Sequence, residues 1–254
     1  MPDQYDAIAT LYGGLQDLPA PSIEQPSVEA VLGDITGLRC LDLACGLGRW
    51  SEFLLRNGAA EVIGVDISEL MIEEAAREAS TSRPARIKEK EKVTFRVGDC
   101  TKPLLLEVGP FDLVFGAWLL NYAATAPEQL GMWRNIHANP RPGGRFIGVT
   151  PNVDMDTVDQ PIDDRYGYAV VPVQKVEDGY KCRLTAYTQP ETVSFDMYHL
   201  SKEVYEQSAA EAGLVELTWN GHVIPEDGRK AGGYWDAFER RPSIEICTVR
   251  RPIS

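Results

Sequence analysis

Leu41-Asp42-Leu43-Ala44-Cys45-Gly46-Leu47-Gly48-Arg49-Trp50, followed by Val62-Ile63-Gly64-Val65-Asp66, decides the reading of this chain. The first segment has the pattern of a buried strand that breaks into a glycine-rich turn. The second is another apolar run that ends in a carboxylate. Glycines at such a turn let the backbone approach a ligand closely. A carboxylate at the tip of the next strand can accept hydrogen bonds from a ribose diol. Together the two segments predict a nucleoside-binding α/β unit.

The flanking sequence extends that unit in both directions. Residues 5–14 read as a short helix carrying Tyr5 and Tyr12. A connector with Pro19, Pro21 and Pro26 follows, then an amphipathic helix over 27–34 and a first strand over 38–44. A helix from Arg49 to Asn57 is expected to stop at Gly58. Ser68 is placed to cap a helix over 69–79, with Glu69 near its positive end. Strands are expected at Val93–Val97, Phe111–Phe115 and Arg145–Thr150, with a helix over 127–138 and a turn at Pro142-Gly143-Gly144. Residues 80–92 read as an exposed charged loop. Alternating strands and helices predict a parallel, doubly wound sheet.

After residue 150 the pattern changes. Residues 166–198 are rich in β-branched and aromatic side chains, broken at Asp178-Gly179 and Gln189-Pro190, which predicts antiparallel strands with a hairpin at Asp178-Gly179. A helix starting after Ser201 and ending at Gly213 comes next. Strands at Val215–Trp219 and Ile244–Arg250 are separated by a short helix around 232–239. The expected organisation is one domain: a helical cap (1–35), a cofactor-binding core (36–150), an acceptor-side antiparallel insertion (151–200), and a C-terminal helix and strand pair (201–254).

Which nucleoside fits is decided by the carboxylates. Gly46-x-Gly48-x-x-Ser51 nearly matches a dinucleotide fingerprint. Asp42, however, stands just before the turn. A carboxylate there repels a pyrophosphate but suits the ammonium of a methionine moiety. Asp66 lies 18 residues beyond Gly48, the usual reach for a ribose contact. Gly98-Asp99-Cys100 ends the third strand, so a carboxylate and a neighbouring N–H can read the adenine edge. These features favour S-adenosylmethionine, with S-adenosylhomocysteine as its product.

At these positions the chain resembles the class I S-adenosylmethionine-dependent methyltransferases. The resemblance rests on Asp42-x-Ala44-Cys45-Gly46-x-Gly48, Asp66, Gly98-Asp99-Cys100, Phe111-Asp112-Leu113-Val114 and the Pro142-Gly143-Gly144 turn, and spans roughly residues 36–150. It implies a seven-stranded Rossmann-like sheet of order 3-2-1-4-5-7-6, with the seventh strand antiparallel. Ala44 departs from a commoner glycine but leaves room for the backbone to approach. The flanks, Tyr5-Asp6-x-Ile8-Ala9-x-x-Tyr12 and Gly213-Leu214 through Trp235-x-x-Phe238-x-x-x-Pro242, look like those of toxoflavin-synthase-type small-molecule methyltransferases. That resemblance implies a nitrogen on an electron-poor heterocycle as methyl acceptor.

The expected cofactor residues are Tyr5, Tyr12, Asp42, Ala44, Cys45, Gly46, Gly48, Arg49, Asp66, Ile67, Met71, Asp99, Cys100 and Ala117. Asp42 also has the alternative role of capping the helix that follows, and Met71 that of a core side chain. Tyr5 and Tyr12 lie two helical turns apart, so both can face one side. They bond the cofactor's carboxylate or serve as apolar anchors, and Arg49 is the other candidate for that carboxylate. Asp112 reads as structural, orienting the loop after its strand. On the acceptor side stand Trp118 and Tyr122, in the loop leaving the fourth strand, with Tyr166, Tyr168 and Trp219 from the second half. Tyr187, Tyr198 and Trp235 add to that aromatic stock. His199 and His222 are the candidate general bases if the acceptor must lose a proton.

Composition bounds the remaining choices. The 254 residues carry a net charge of −13, which argues against nucleic acid and anionic lipid as partners. The five cysteines lack paired metal spacing and the three histidines are far apart, so no metal site is expected. No apolar run is long enough to span a bilayer and no signal peptide is apparent, which predicts a cytoplasmic monomer or homodimer. A small-molecule methyl acceptor is the expected partner, at nitrogen, with oxygen or sulfur as alternatives. Two other readings stay open: a nicotinamide oxidoreductase, and a non-catalytic S-adenosylmethionine-binding regulatory module.

Overall fold

A computed structural model describes residues 8, 11–81, 92–153, 164–227 and 229–253. Tyr5 and most of the 80–92 loop lie outside the described residues. The chain runs α1 (Pro21–Leu32), β1 (Arg39–Leu43), α2 (Arg49–Arg56), β2 (Glu61–Asp66), α3 (Glu69–Thr81), β3 (Lys92–Val97), β4 (Phe111–Ala117), α4 (Ala126–Ala138) and β5 (Pro140–Pro151). It continues through β6 (Tyr168–Val176), β7 (Gly179–Ala186), β8 (Val193–Leu200), α5 (Lys202–Glu211), β9 (Val215–Asn220), α6 (Asp236–Arg240) and β10 (Ile244–Arg250).

Seven strands form one sheet in the order β3-β2-β1-β4-β5-β10-β9. β10 runs antiparallel to β5 and β9, while the pairs among β1 to β5 are parallel. With β9 and β10 as sixth and seventh strands, this is the expected methyltransferase sheet. Its central strands β1, β2 and β4 are buried on both faces because helices cover both sides, while the edge strands β3 and β9 are partly exposed. The period of two divides the side chains between the layers. Leu41, Leu43, Ile63, Val65 and Phe146 pack with α4 and α5 on one face. Cys40, Val62, Phe115 and Ile147 pack with α1 and α2 on the other.

β6, β7 and β8 form a separate three-stranded antiparallel sheet. Its first hairpin turns at Glu177-Asp178, one residue before the expected position, because Gly179 already pairs with Val176 as the first residue of β7. Ala186, Val193 and Phe195 of this sheet pack against Ile8, Leu11, Tyr12, Leu15 and Leu18. The N-terminal segment is thereby laid between the small sheet and the large one.

Three other expectations need correction. The helix expected at 27–34 starts at Pro21 and ends at Leu32. Proline is tolerated at the first helical position, and buried Ile23, Ser27, Val28 and Leu32 hold the helix together across Pro26. Asp112 does not orient the loop after β4. It sits near the opposite end of that strand, accepting from the Arg39 backbone N–H at 2.9 Å and from Arg141 Nε at 2.7 Å. The Pro142-Gly143-Gly144 turn lies inside β5 rather than before it, where the register jumps from Phe111–Pro140 to Leu113–Arg145.

Candidate active site

The carboxyl ends of β1, β2, β3 and β4 converge on one cleft, as parallel α/β topology demands. The cleft has two lobes that share Tyr12, Ala44, Gly46, Ala117, Trp118 and Tyr122. One lobe is bordered by Asp66, Ile67, Met71, Asp99 and Cys100. The other is walled by Leu15, Leu18, Tyr168, Leu184, Phe195 and Met197. A chamber bordered by the carboxylates of Asp66 and Asp99 thus opens onto one walled mainly by apolar side chains, with Glu24 and Arg49 at its border.

Asp42 in β1 is almost fully buried. The residue borders neither lobe; its Oδ2 accepts from Ser51 Oγ at 2.7 Å, while its Oδ1 is buried with no hydrogen-bond partner among the described residues. Burial, first, and the negative charge of Asp66 push this carboxyl up to about 7, against the stabilising Ser51 hydroxyl. An orphaned buried oxygen beside the glycine turn is the kind of acceptor a ligand ammonium completes. Asp66 is held rigidly. Its Oδ2 accepts from the Gly46 N–H at 2.8 Å and its Oδ1 from the Ser68 N–H at 2.9 Å. A carboxylate oxygen has two lone pairs and can accept from more than one donor, the chemistry a ribose diol requires. Ser68 also caps α3 as expected, accepting from the Met71 N–H at 3.1 Å.

The turn itself divides its labour. Ala44, Gly46 and Gly48 all have left-handed backbones, with φ of +58°, +51° and +80°. A Cβ on Gly46 would meet nothing within 4 Å, so this glycine faces the open cleft. A Cβ on Gly48 would meet the Phe95 ring at 2.8 Å, and Gly48 borders neither lobe. Gly48 therefore serves the packing of α2 on β3. These residues fit S-adenosylmethionine: an orphan carboxylate oxygen, an open glycine, a tethered second carboxylate and a third carboxylate, Asp99, beside Cys100 on the same lobe.

Comparisons with known proteins agree. Residues 40–144 match the model of a family described as a methyltransferase domain. The demethylmenaquinone methyltransferase of Symbiobacterium thermophilum is 34% identical over 196 residues, covering 72% of this chain and 70% of that protein. The chain belongs to the class I S-adenosylmethionine-dependent methyltransferases. A second relative, the demethylmenaquinone methyltransferase of Lactococcus lactis, is 36% identical over 123 residues, covering 46% of this chain and 44% of the relative. The chain thus spans less than half the length of that relative. Among solved structures, an S-adenosylmethionine-dependent methyltransferase from Mesorhizobium loti superposes with a TM-score of 0.64 at 22% identity, covering 90% of this chain and 98% of that one.

Within this methyltransferase the remaining expected residues fall into three groups. Cys45 and Cys100 border the cleft as buried thiols, each pushed upward chiefly by burial, Cys100 to about 12. Tyr12 and Tyr122 border both lobes, their hydroxyls also pushed up by burial. Tyr168 borders the apolar lobe and hydrogen-bonds Ser243. Two expected residues reach the cleft already engaged. Arg49 Nη1 donates to Glu24 Oε2 at 2.8 Å. Asp99 Oδ1 accepts from the Thr101 N–H, and its Oδ2 pairs with Lys102 at 2.9 Å. Burial works to raise the Asp99 carboxyl, but Thr101 and Lys102 together hold it below the usual carboxylate range.

Four residues lie away from the lining. Tyr166 is buried in an aromatic cluster, stacked on Trp235 at 5.3 Å, and its hydroxyl donates to the Tyr234 carbonyl. Trp219 sits on β9 beneath Lys202, with its indole N–H donating to Glu206. His199 is buried in β8, and His222 lies edge-on to Phe238 at 5.0 Å. Neither histidine borders either lobe.

Several lining residues escaped the sequence reading, the polar Glu24 and Asn121 among them. Glu24, buried in α1, accepts from Arg49 and, through Oε1, from the Trp118 indole N–H at 3.0 Å. Burial, opposed by Arg49 and Trp118, raises its carboxyl. Asn121, in the 3-10 turn Leu120–Tyr122, is 1% exposed. A Glu in a proline-rich stretch and an Asn in an apolar loop carry no local signal. The described residues contain no group of three side chains suited to a metal, and no helix among them is long and apolar enough to cross a membrane.

Proposed function

We propose that this chain methylates a small, flat heteroaromatic metabolite at a ring nitrogen. The observation that carries the reading is the two-lobed cleft hinged on Ala117, Trp118 and Tyr122. Bound in the polar lobe, S-adenosylmethionine supplies a methyl group already activated by its sulfonium. Asp66 receives the ribose hydroxyls and Asp42 the amino group. Asp99, Cys100, Ile67 and Met71 border the adenine. The cap before residue 35, through Tyr12, and the insertion between 151 and 200, through Tyr168, Leu184, Phe195 and Met197, enclose the acceptor and exclude water. Their work is orientation and desolvation.

Nitrogen is favoured by what the acceptor lobe offers as a base. The tyrosine hydroxyls there are pushed up by burial, and both oxygens of Glu24 already accept hydrogen bonds. Neither His199 nor His222 reaches the lobe. An acceptor that brings its own lone pair, such as a pyridine-type nitrogen, needs no deprotonation. The resemblance of the flanks to toxoflavin-synthase-type enzymes supports the same class. A second reading, a quinol acceptor, is supported by the apolar wall and by the substrate named for the two demethylmenaquinone relatives.

The test begins with calorimetric titration of S-adenosylhomocysteine, with NAD as control. Micromolar binding of the former alone is expected. Methyl-labelled S-adenosylmethionine is then offered with aza-heterocycles, quinols, phenols and thiols. Label on ring nitrogen supports the reading, and label confined to quinol, phenol or thiol replaces it. Cofactor binding with no acceptor methylated favours a regulatory module, and binding of NAD alone moves the chain to the oxidoreductases.

A further inference from the structure

Residues 117–122 leave β4 and pass between the two lobes. Ala117, Trp118 and Tyr122 border both lobes, Leu119 borders the cofactor lobe, and Asn121 borders the acceptor lobe. Asn121 is almost fully buried, and its Oδ1 has no hydrogen-bond partner among the described residues. Its Nδ2 makes one weak contact, to Met197 Sδ at 3.7 Å. Buried amide oxygens are rarely left unpaired in native proteins, and each exception calls for an explanation. The wall supplies no partner for the Asn121 oxygen: Leu184, Phe195 and Met197 present carbon or sulfur, the Tyr168 hydroxyl is engaged with Ser243, and Glu24 and Arg49, which also border the lobe, are paired with each other.

We infer that Asn121 is the specificity-determining residue of the acceptor lobe, its Oδ1 accepting from an N–H on the edge of the heterocycle to be methylated. This rests on the acceptor lobe being a heteroaromatic pocket, as proposed above. The acceptor class narrows accordingly. It is a flat ring system with a lone-pair nitrogen to be methylated and, elsewhere on the ring, an N–H donor, as in azoles and lactams. A ring without the donor leaves the Asn121 oxygen buried and unpaired, and sites built to receive a donor reject analogues that lack it. Met197, from the small sheet, touches the amide nitrogen, while the 3-10 turn that leaves the large sheet carries its backbone.

The pair benzimidazole and benzoxazole isolates this contact. Both carry a pyridine-type nitrogen; the first has a ring N–H where the second has an oxygen. Binding of each is measured by calorimetry on protein saturated with S-adenosylhomocysteine, at mildly alkaline pH where both are neutral. Wild type is expected to bind benzimidazole on the order of tenfold more tightly than benzoxazole. Asn121→Asp, which keeps an acceptor oxygen, retains the preference, and Asn121→Leu abolishes it. S-adenosylhomocysteine affinity reports the folding of each variant, and Asn121→Ala is read if the leucine variant fails to fold. Equal binding of the two probes to wild type, or a preference that survives in the apolar variant, overturns the role of Asn121 alone. Binding of neither probe, with S-adenosylhomocysteine affinity intact, overturns the heteroaromatic reading of the lobe and the role of Asn121 with it.

Discussion

Asp42 faces opposed demands: its carboxylate is needed for an ammonium, yet burial favours the neutral acid and holds the group up to about 7. The folded-state value therefore lies above the unfolded one. Between roughly pH 4 and 7 the native chain binds more protons than the unfolded chain, so ligand-free stability falls as pH rises through that window. A ligand ammonium at Oδ1 favours the ionised form. Affinity for S-adenosylhomocysteine is thus expected to rise from roughly pH 6 to 8 and then level off, while Asp42→Asn gives a weaker and flat profile. Calorimetry across a pH series checks this, and a flat wild-type profile would remove Asp42 from the amino-group role. Asp66 is held in place by two backbone N–H groups, those of Gly46 and Ser68. Asp66→Ala is expected to weaken S-adenosylhomocysteine binding by about 1–3 kcal/mol, the cost of losing a buried hydrogen-bonding partner. Unchanged affinity in a folded variant would refute the ribose assignment.

The strand–turn–helix element from β1 into α2 separates two glycines that look equivalent in sequence. Gly48→Ala drives a Cβ into the Phe95 ring at 2.8 Å from a left-handed backbone, and is expected to destabilise the fold by about 2–4 kcal/mol. Cofactor affinity of the folded fraction should change little. Gly46→Ala meets no atom within 4 Å, so it costs about 1–2 kcal/mol of backbone strain but puts a methyl group into the cleft. Its mark is a loss of S-adenosylhomocysteine affinity exceeding its loss of stability. Thermal melts and titrations of both variants check the crossover, and matching profiles would sink it. The contrast also marks what was legible in the sequence. Alternating strands and helices make a parallel, doubly wound sheet legible, and the resemblance to the class I methyltransferases supplies its strand order. Asp42, Asp66 and the glycine turn belong to short local motifs, so their meeting was readable. Gly48's packing role was not, because Phe95 comes from a strand two places away in the sheet. Trp219 and Tyr166 were expected in the pocket on aromatic character alone. That character is equally satisfied by Lys202 packed over one ring and by Trp235 stacked on the other.

At the scale of the whole molecule, Glu24 joins parts of the chain that sequence keeps far apart. It sits on α1, receives Arg49 from the start of α2, and receives the indole of Trp118 from the loop after β4. Trp118 needs that hold. Its φ is +59°, a conformation costly for a bulky side chain and sustained only where its surroundings determine it. The indole bond to Glu24 and the backbone bond from the Trp118 N–H to the Val149 carbonyl at 2.8 Å supply the restraint. Other bonds seat α1 on the sheet side. Ser27 Oγ accepts from the Val223 N–H at 2.8 Å, and Arg145 donates to the Leu32 carbonyl. The roof of the cleft is therefore tied to its floor through one carboxylate. Glu24→Gln keeps the shape but offers one acceptor oxygen to two donors, leaving either Arg49 or Trp118 unsatisfied. The cost is expected to be about 1–3 kcal/mol, as for one unpaired buried group. It should fall unevenly. Hydrogen exchange should accelerate across 21–32 and across whichever of 117–122 and 49–56 loses its partner, while β2 and β3 keep their protection, because neither bond involves those strands. Exchange that rises uniformly would make Glu24 a general stabiliser, and exchange that stays unchanged in all of these segments would show that apolar packing alone holds Trp118 in place.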